Sequence, residues 1–484
     1  MNKKIQLRDL MEHSGVKFGT SGARGLADAM TDDVCHAYTS GFLSFLEESK
    51  ELYRAGESVA IAGDLRPSTG RIMAAVAQAI RDKGYNPINC GRIPSPAVAL
   101  FGLEQGIPAI MVTGSHIPAD RNGIKFNKCS GEILKRDEAR IMAQEVLYRS
   151  NVAVESLPPE DDTAISLYIA RYAQLLPADC LANLKVGVYQ HSAVGREVLI
   201  KLLSSLGAEV IPLGFSATFV PVDTEAIRTE DVALALGWSK EFDLDCIVST
   251  DGDSDRPLIS DEKGTWLRGD VAGILVARFL GAESIHTPVS CNTAVEACRW
   301  FKEIKRTKIG SPYVVASMQE AQANGELGVV GYEANGGFLT QSSFTVFEGE
   351  LAALPTRDAV LPILAVMLYA KANQTTISAC VEQLPRRYTA SDRIENFPSN
   401  ESMKILNRMQ DKATVEELFA SLFGPVDYLD RTDGLRITFD SGEVLHLRPS
   451  GNAPEFRCYN EADSIERVIE MQQQSMERLL ALKG

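Results

Sequence analysis

The chain has 484 residues, more than a single hydrophobic core usually serves, so its length predicts several domains. Hydrophobic residues make up 45% and charged residues 23% of the chain, a composition that is ordinary for a soluble globular protein. The net charge of −15 argues against nucleic acid and anionic membranes as partners.

The sequence also lacks the usual signals of export or membrane insertion. No apolar run reaches the ~18–20 residues of a membrane span, and no apolar segment of signal-peptide type follows the N-terminal residues. The nine cysteines are scattered without a C-x-x-C pair, so neither a disulfide framework nor a cysteine zinc site is indicated. We therefore expect a cytoplasmic protein.

The first loop of interest, residues 17–25, holds three glycines and two hydroxyl side chains around Arg24. Glycines let the backbone approach a ligand closely, and a guanidinium group binds anions. Arg24 is therefore a candidate anion contact. A plain glycine-rich turn with a solvated arginine explains the stretch equally well.

One pattern of strand, loop, helix, glycine and strand occurs repeatedly along the chain. It predicts a βαβ architecture used three times. The first copy has strands at 59–63 and 88–90 around a helix at 71–83, and the second has strands at 185–189 and 209–211 around a helix at 195–206. The third copy has a strand at 285–290, a helix at 293–303 and a segment near residue 309.

An apolar run at 107–112 predicts a strand that leads into Thr113-Gly-Ser-His-Ile-Pro118. Gly114 allows a tight turn there, and Pro118 prevents an ordinary helix. Ser115 then lies at the carboxyl end of a strand, where open α/β sheets bind their ligands. A surface turn with an ordinary serine is the alternative for this segment alone.

An acidic loop, Asp251-Gly-Asp-Ser-Asp-Arg256, follows an apolar strand at 246–249. Converging carboxylates repel one another unless a cation neutralises them, and an all-oxygen site suits Mg²⁺. An EF-hand is the rival interpretation, since Glu262 falls at its twelfth position. That motif needs glycine at its sixth position, where this chain has Arg256.

Two further loops carry polar side chains. In residues 331–337, Glu333 and Asn335 on a glycine-rich turn are suited to binding sugar hydroxyls. A predicted hairpin, with strands at 434–439 and 444–447, leads into residues 448–457. This last loop is suited to an anion through its hydroxyl, amide and guanidinium donors, which belong to Arg448, Ser450, Gly451, Asn452 and Arg457.

Polar or proline-bearing stretches near residues 155–162, 261–264 and 383–385 suggest domain boundaries. The hairpin and a closing helix from about Ser464 indicate a smaller α+β domain at the C-terminus. The predicted domains are 1–157, with the Ser115 loop, 158–262, with the acidic loop, 263–378, with the Glu333 loop, and 379–484, with the Arg448 loop.

Taken in order, these four loops resemble the α-D-phosphohexomutase superfamily over essentially the whole chain. The resemblance implies four domains, three similar mixed α/β units and a C-terminal α+β domain, with the active site in the central cleft. Two of the loops depart from the usual motifs: Ile117 stands where many members have asparagine, and Asn452-Ala453 replaces the usual Thr-Glu.

The resemblance also implies roles for individual residues. Ser115 matches the phosphoserine, and its phosphate together with Asp251, Asp253 and Asp255 matches the Mg²⁺ ligands. Arg256 matches the arginine beside that phosphate, while His116 and Lys125 are both candidates for proton transfer or phosphate contact. Lys308 lies in a segment, residues 307–311, that resembles a specificity loop. Glu333 and Asn335 match the sugar-binding loop, and the Arg448 loop matches the distal phosphate site.

The implied activity interconverts hexose 6-phosphate and hexose 1-phosphate through a phosphoserine enzyme and a bisphosphate intermediate. We expect a phosphomannomutase that uses Mg²⁺ and is activated by hexose 1,6-bisphosphate. Phosphoglucomutase and then phosphoglucosamine mutase are the alternatives, and a catalytically dead sugar-phosphate-binding protein is the alternative from another class. The expected partners are hexose phosphates, and the chain is expected to be a monomer or a homodimer.

Overall fold

The computed structural model describes residues 3–19, 21–52, 54, 56–450 and 455–482. Gly451 and Asn452 of the predicted phosphate loop lie outside these ranges. The structure has the expected four domains of mixed α/β character. Among the described residues, no helix is both long and apolar enough to cross a bilayer.

The first domain is built on a mixed sheet with the strand order β2-β3-β7-β6-β4-β5, and β8 pairs with β7. Strands β4, β5 and β6 are parallel, and β7 runs antiparallel to β6. Its elements are β1 (Lys3–Gln6), α1 (Leu7–Ser14), β2 (Lys17–Gly19), β3 (Gly22–Leu26), α2 (Asp32–Ser49), β4 (Ser58–Gly63), α3 (Thr69–Asp82), β5 (Asn86–Arg92), α4 (Ser95–Gln105), β6 (Ala109–Val112), β7 (Arg121–Lys128), β8 (Gly131–Glu132), α5 (Lys135–Met142) and β9 (Glu145–Tyr148).

The second domain repeats this arrangement on a smaller scale. Its sheet has the order β11-β10-β12-β13, in which the first three strands are parallel and β13 is antiparallel to β12. Its elements are α6 (Thr163–Ala173), β10 (Lys185–His191), α7 (Arg196–Ser205), β11 (Glu209–Phe215), α8 (Thr229–Phe242), β12 (Cys246–Thr250) and β13 (Pro257–Ile259).

The third domain has the same plan, with the strand order β15-β14-β16-β17-β20 and antiparallel pairing from β17 onward. Its elements are α9 (Gly269–Leu280), β14 (Ser284–Pro288), α10 (Ala294–Ala297), β15 (Glu303–Thr307), α11 (Ser311–Ala323), β16 (Val329–Tyr332), β17 (Phe338–Thr340), β18 (Phe344–Val346), β19 (Gly349–Leu351), β20 (Leu354–Asp358), α12 (Val360–Ala372) and α13 (Ile377–Glu382).

The helix predicted at 293–303 is wrong for most of its length, because the observed helix is only α10. Arg299 takes a left-handed conformation with φ 55°, which interrupts a right-handed helix. The following Trp300 and Phe301 pack against the shared core, and Arg278 of α9 stacks on the Trp300 ring. The chain therefore turns to bury these two rings.

The fourth domain has an antiparallel sheet with the order β21-β25-β24-β23-β22. Its elements are β21 (Tyr388–Ile394), α14 (Ser399–Arg408), α15 (Lys412–Phe423), β22 (Val426–Asp430), β23 (Leu435–Phe439), β24 (Val444–Pro449), β25 (Phe456–Ala462) and α16 (Ile465–Ala481). The predicted hairpin is confirmed as β23 and β24.

The hydrophobic cores follow a different division from the sheets. One cluster of buried apolar side chains runs through the first three domains, and it includes Ala62, Val188 and Ile285 from their respective sheets. The fourth domain has a separate cluster that contains Phe419, Leu445 and Met471. The three α/β domains are thus packed together by apolar contacts.

The repeat places three loops at one topological position. The Ser115 loop joins β6 to β7, the acidic loop joins β12 to β13, and the Glu333 loop joins β16 to β17. Each connects the third parallel strand to the first antiparallel strand. All residues of the three preceding strands are buried, as expected for strands covered on both faces.

Candidate active site

Ser115 is fully buried and takes a left-handed backbone conformation with φ 55°. Its Oγ donates a hydrogen bond of 2.6 Å to Asp251 Oδ2, which belongs to the acidic loop of the next domain. Non-glycine residues adopt this conformation at a cost, and such strain is common at functional sites. The Ser115 hydroxyl is thus held against a carboxylate of another domain.

Arg66 is a buried arginine that holds the Ser115 loop through its main-chain carbonyl groups. Its guanidinium group donates to main-chain carbonyl groups at 2.6–3.2 Å, namely those of Ser115, Ile117, Pro118 and Arg121. Asp64 accepts from Arg66 Nε and from the Thr113 hydroxyl, and Thr113 Oγ1 in turn accepts from the Ser115 N–H. The loop geometry is therefore fixed by a hydrogen-bonded frame.

Gly114 is required by this frame. A Cβ atom at position 114 would lie 2.6 Å from Arg66 Cζ, well inside van der Waals contact. The absent side chain lets the guanidinium group reach the loop carbonyls. The glycine before the serine therefore serves the close approach of Arg66.

The acidic loop brings three buried carboxylates together. One oxygen from each of Asp251, Asp253 and Asp255 lies within 4.8 Å of the others. Burial and the like charges of Asp253 and Asp255 raise the pKa of Asp251 well above its usual range. Such a cluster is stabilised by a cation.

The hydrogen bonds of these carboxylates leave a consistent set of oxygens for a metal ion. Lys125 Nζ donates to Asp253 Oδ2 at 2.6 Å and to Asp255 Oδ2 at 2.8 Å. In the described part of the chain, Asp253 Oδ1 and Asp255 Oδ1 are buried without a hydrogen-bond partner. Together with Asp251 Oδ2 beside Ser115, they form an all-oxygen donor set that fits a divalent cation such as Mg²⁺.

Lys125 is a charged group in this site. Burial lowers the pKa of Lys125, but the carboxylates of Asp253 and Asp255 outweigh it and raise that pKa above its usual value. In turn, burial raises the pKa of Asp253, but the ammonium group of Lys125 outweighs it and holds that pKa below its usual range. The side chain is thus an ammonium group paired with the acidic loop.

His116 is a neutral imidazole. Burial and the positive charge of Arg256 lower the pKa of His116 to about 3. Arg256 Nη1 lies 2.8 Å from His116 Nδ1, and since arginine only donates, Nδ1 accepts and the ring proton is on Nε2. The Ser115 Oγ lies 3.4 Å from the same Nδ1.

Arg24 lies on β3 and faces the same cleft. Burial and the like charge of Arg256 lower the pKa of Arg24 to about 10, so it remains protonated. Among the described residues, no carboxylate lies within ion-pair distance of it. A partly buried cation next to other cations is suited to binding an anionic ligand.

The Glu333 loop reaches the acidic loop through Arg357. Glu333 is 4% exposed, and its Oε2 lies 3.3 Å from Arg357 Nη1. Arg357 also binds Asp255 Oδ2 through Nε at 3.1 Å and Nη2 at 2.9 Å. Asn335 differs from Glu333, because its Oδ1 accepts from the Gly337 N–H within its own turn.

The fourth domain presents a row of arginines on one face of its sheet. Arg393, Arg457 and Arg448 lie opposite one another on three adjacent strands. Arg448 pairs with Asp433 at 3.0 Å and Arg457 with Glu455 at 3.1 Å. Like charges at opposed positions of a sheet are unfavourable unless anions neutralise them.

The predicted phosphate loop, residues 448–457, is described at 448–450 and 455–457. The Ser450 N–H donates to the Glu455 carbonyl at 2.9 Å. Lys308 is exposed, with its Nζ 5.9 Å from the centre of the Tyr313 ring. The neighbouring Ile309 N–H donates to Asp433 at 3.0 Å, which places the Lys308 loop beside the arginine row.

The structure thus brings most of the predicted residues to one cleft. Ser115, His116, Lys125, Arg256 and the three aspartates are linked by short contacts, whereas Lys308 and the Arg448 loop lie in the third and fourth domains. Sequence reasoning missed Arg66, Ser95 and Arg357, although Ser95 Oγ donates to Asp253 Oδ2 at 2.7 Å. The sequence does hint at Arg66, because Asp64 and Arg66 lie in the loop that begins directly after the strand predicted at 59–63.

The family models that match the chain are those of phosphoglucomutase/phosphomannomutase. Alpha/beta/alpha domains I, II and III match residues 15–149, 167–264 and 268–388, and the C-terminal domain matches residues 396–478.

Two curated relatives are phosphomannomutases. That of Salmonella muenchen is 44% identical over 462 residues, covering 95% of this chain and 94% of its own. That of Sinorhizobium fredii is 45% identical over 455 residues, covering 93% and 95%. Relatives named phosphoglucosamine mutase are more distant, at 24% to 27% identity.

A solved structure supports the fold. It is a phosphoglucomutase/phosphomannomutase family protein from Burkholderia thailandensis, which superposes with a TM-score of 0.73 at 21% identity. The match covers 96% of this chain and 97% of that one.

Proposed function

The chain belongs to the phosphoglucomutase/phosphomannomutase family, and from that premise we propose that it is a phosphomannomutase. It interconverts mannose 6-phosphate and mannose 1-phosphate through a phosphoserine at position 115. Relatives that carry the phosphomannomutase name are 44% and 45% identical over most of the chain, whereas those named phosphoglucosamine mutase are more distant. This difference favours mannose over the other sugars.

The observation that carries the proposal is the contact between Ser115 and the acidic loop. The Ser115 Oγ lies 2.6 Å from Asp251 Oδ2 inside a cluster of three buried aspartates. A phosphoryl group on this oxygen adjoins both the carboxylate cluster and the guanidinium group of Arg256. A polar surface turn would have neither feature.

Each half of the cycle moves one phosphoryl group between Ser115 and the sugar. The bond between phosphorus and Ser115 Oγ breaks while the free sugar hydroxyl forms a new bond to the same phosphorus, and in net the hydroxyl proton is transferred to Ser115 Oγ. The resulting bisphosphate reorients, and its other phosphoryl group returns to Ser115 Oγ. Lys125 is protonated and suited to stabilising negative charge. The neutral His116 accepts from Arg256 through Nδ1 and carries its proton on Nε2, so it is suited to orienting Arg256 and has no free nitrogen to take a proton.

Mg²⁺, when bound by Asp251, Asp253 and Asp255, supplies charge stabilisation at the phosphoryl oxygens. The chain's own residues do the remaining work. Arg66 holds the Ser115 loop rigid, and Arg256 and Arg24 add positive charge at the cleft. Glu333 accepts hydrogen bonds from the sugar hydroxyls. Catalysis is thus mainly positioning and electrostatics.

A bisphosphate that leaves before the second transfer leaves Ser115 without its phosphoryl group. Added hexose 1,6-bisphosphate restores it, so we propose this compound as the activator. The arginine row of the fourth domain is suited to holding the phosphate that does not react in either half of the cycle.

A coupled assay tests the proposed function. The purified enzyme is given mannose 1-phosphate, glucose 1-phosphate or glucosamine 1-phosphate with hexose 1,6-bisphosphate and Mg²⁺. We expect the highest kcat/KM with mannose 1-phosphate. A higher value with glucose 1-phosphate would make the protein a phosphoglucomutase, and no turnover with any of the three would contradict the mutase function.

Replacing Arg448 with alanine should lower kcat/KM by roughly ten- to a hundredfold. The variant loses a charge-assisted contact to the distal phosphate, worth about 1.5–3 kcal/mol. The bisphosphate should also escape more often, so the variant should need more added bisphosphate. Steady-state kinetics with and without bisphosphate measures both effects, and intact-protein mass should show that Ser115 is still phosphorylated.

Arg408→Ala is the matched control, because Arg408 is an exposed arginine of the same domain. It should leave both quantities unchanged. If Arg448→Ala behaves like this control, the loop is only a polar turn.

A further inference from the structure

Arg357 is a buried arginine that bridges two of the functional loops. It lies on β20 and is 5% exposed. Its guanidinium group contacts Asp255 Oδ2 at 2.9 and 3.1 Å and Glu333 Oε2 at 3.3 Å. One planar group thus touches a carboxylate of the acidic loop and a carboxylate of the sugar loop.

Two neighbouring features fix the position of Arg357, namely the space left by Gly337 and the hydrogen bonds of Asp358. Gly337 leaves room for it, since a Cβ atom there would lie 2.5 Å from Arg357 Cδ. The next residue, Asp358, accepts hydrogen bonds from the buried hydroxyls of Tyr168 and Tyr172 on α6. Strand β20 is therefore anchored to the second domain directly beside the arginine.

The bridge also determines which oxygen atoms remain for ligands. Arg357 and Lys125 both bind Asp255 Oδ2, and the buried Oδ1 of the same carboxylate has no hydrogen-bond partner in the described ranges. Arg357 and Lys125 therefore occupy Oδ2 of Asp255, whereas Oδ1 makes no hydrogen bond with a described residue and lies 3.6 Å from Arg256 Nε. The same fork fixes the Oε2 end of Glu333.

We propose that Arg357 is a positioning residue that aligns the metal-binding carboxylate of Asp255 and the sugar-binding carboxylate of Glu333 as one unit. Metal binding and sugar binding are then coupled through its guanidinium group. The inference rests on the proposed mutase function for the role of Glu333. A lysine cannot replace the arginine, because one ammonium group lacks the planar fork that reaches both carboxylates.

The test is Arg357→Lys, which keeps the charge and removes the fork. Binding of Mn²⁺ to the full chain, measured by electron paramagnetic resonance of the free ion, should weaken about tenfold, because breaking charge-assisted hydrogen bonds commonly has an effect of this size. The KM for the sugar phosphate should rise as well. Circular dichroism should show a folded protein.

Arg228→Lys is the matched control, since Arg228 makes a similar two-pronged pair with Asp231 in the second domain. It should leave Mn²⁺ affinity and KM unchanged. Unchanged or tighter Mn²⁺ binding in Arg357→Lys would overturn the proposal, as would an equal loss in the control.

A second comparison tests the coupling itself. Glu333→Gln should weaken Mn²⁺ binding severalfold when Arg357 is present and should have no further effect in Arg357→Lys. Equal effects in both backgrounds would overturn the proposed coupling. Failure of the mutase function would appear separately, as absence of turnover in the wild-type enzyme, because the metal titrations need no sugar substrate.

Discussion

Replacement of Ser115 by alanine is expected to lower kcat by about 10⁴-fold or more. The variant has no oxygen to carry the phosphoryl group, and loss of a nucleophile in other enzymes reduces turnover by up to ~10⁶-fold. The reaction should fail in both directions, since each half uses the same oxygen. Steady-state assays in both directions measure this, and intact-protein mass should show no phosphorylated form.

The stability of this variant needs its own control, because Ser115 is buried and its hydroxyl binds Asp251. Ser249 is also fully buried, and its Oγ donates to the Tyr189 carbonyl at 2.7 Å. Ser249→Ala and Ser115→Ala should each lose about 0.5–1.5 kcal/mol of unfolding free energy. Only Ser115→Ala should lose turnover, and near-normal rates in it would remove Ser115 from the mechanism.

Replacement of Asp253 by asparagine is expected to weaken Mg²⁺ binding and turnover together, by at least about a hundredfold. Changes to residues that merely support metal ligands commonly cause 10–100-fold losses, and a ligand should cost at least as much. The asparagine can still accept from Lys125 and Ser95, so the fold should persist. Isothermal titration with Mg²⁺ and the Mg²⁺ dependence of kcat provide the two measurements.

Asp231→Asn is the control for this change. Asp231 is a fully buried aspartate of the same domain, paired with Arg228 and remote in sequence from the acidic loop. Its replacement should reduce stability without changing Mg²⁺ affinity. Full activity of the wild-type enzyme in excess chelator would rule out a metal role for all three aspartates.

The sequence predicted those parts of the site in which the reactive residues lie in a loop directly after an apolar strand. Ser115 and the three aspartates follow apolar strands in short, unusual loops, so the residues and their position at a sheet edge were visible together. The expected four-domain α/β fold and the phosphohexomutase function are confirmed. The assigned roles of individual site residues stay predictions.

The missed residues act over long distances along the chain. Arg357 binds Asp255 across 102 positions, and Arg66 reaches the Ser115 carbonyl across 49. The sequence around neither arginine indicates which distant residue it binds. The shortened helix α10 has a similar cause, because packing of the half-buried Trp300 and Phe301 against the core outweighs local helix propensity.

The apolar cluster shared by the first three domains has a consequence for how the protein unfolds. Residues that contribute to one core lose their packing together, so the parts of the three domains that share this cluster should melt as a single cooperative unit. The fourth domain has its own core, and hydrogen bonds such as those of Glu461 with Thr293 and of Asp433 with Ile309 join it to the third. We therefore expect the fourth domain to unfold separately from that shared cluster, so that the Ser115 and aspartate loops stay folded when it does.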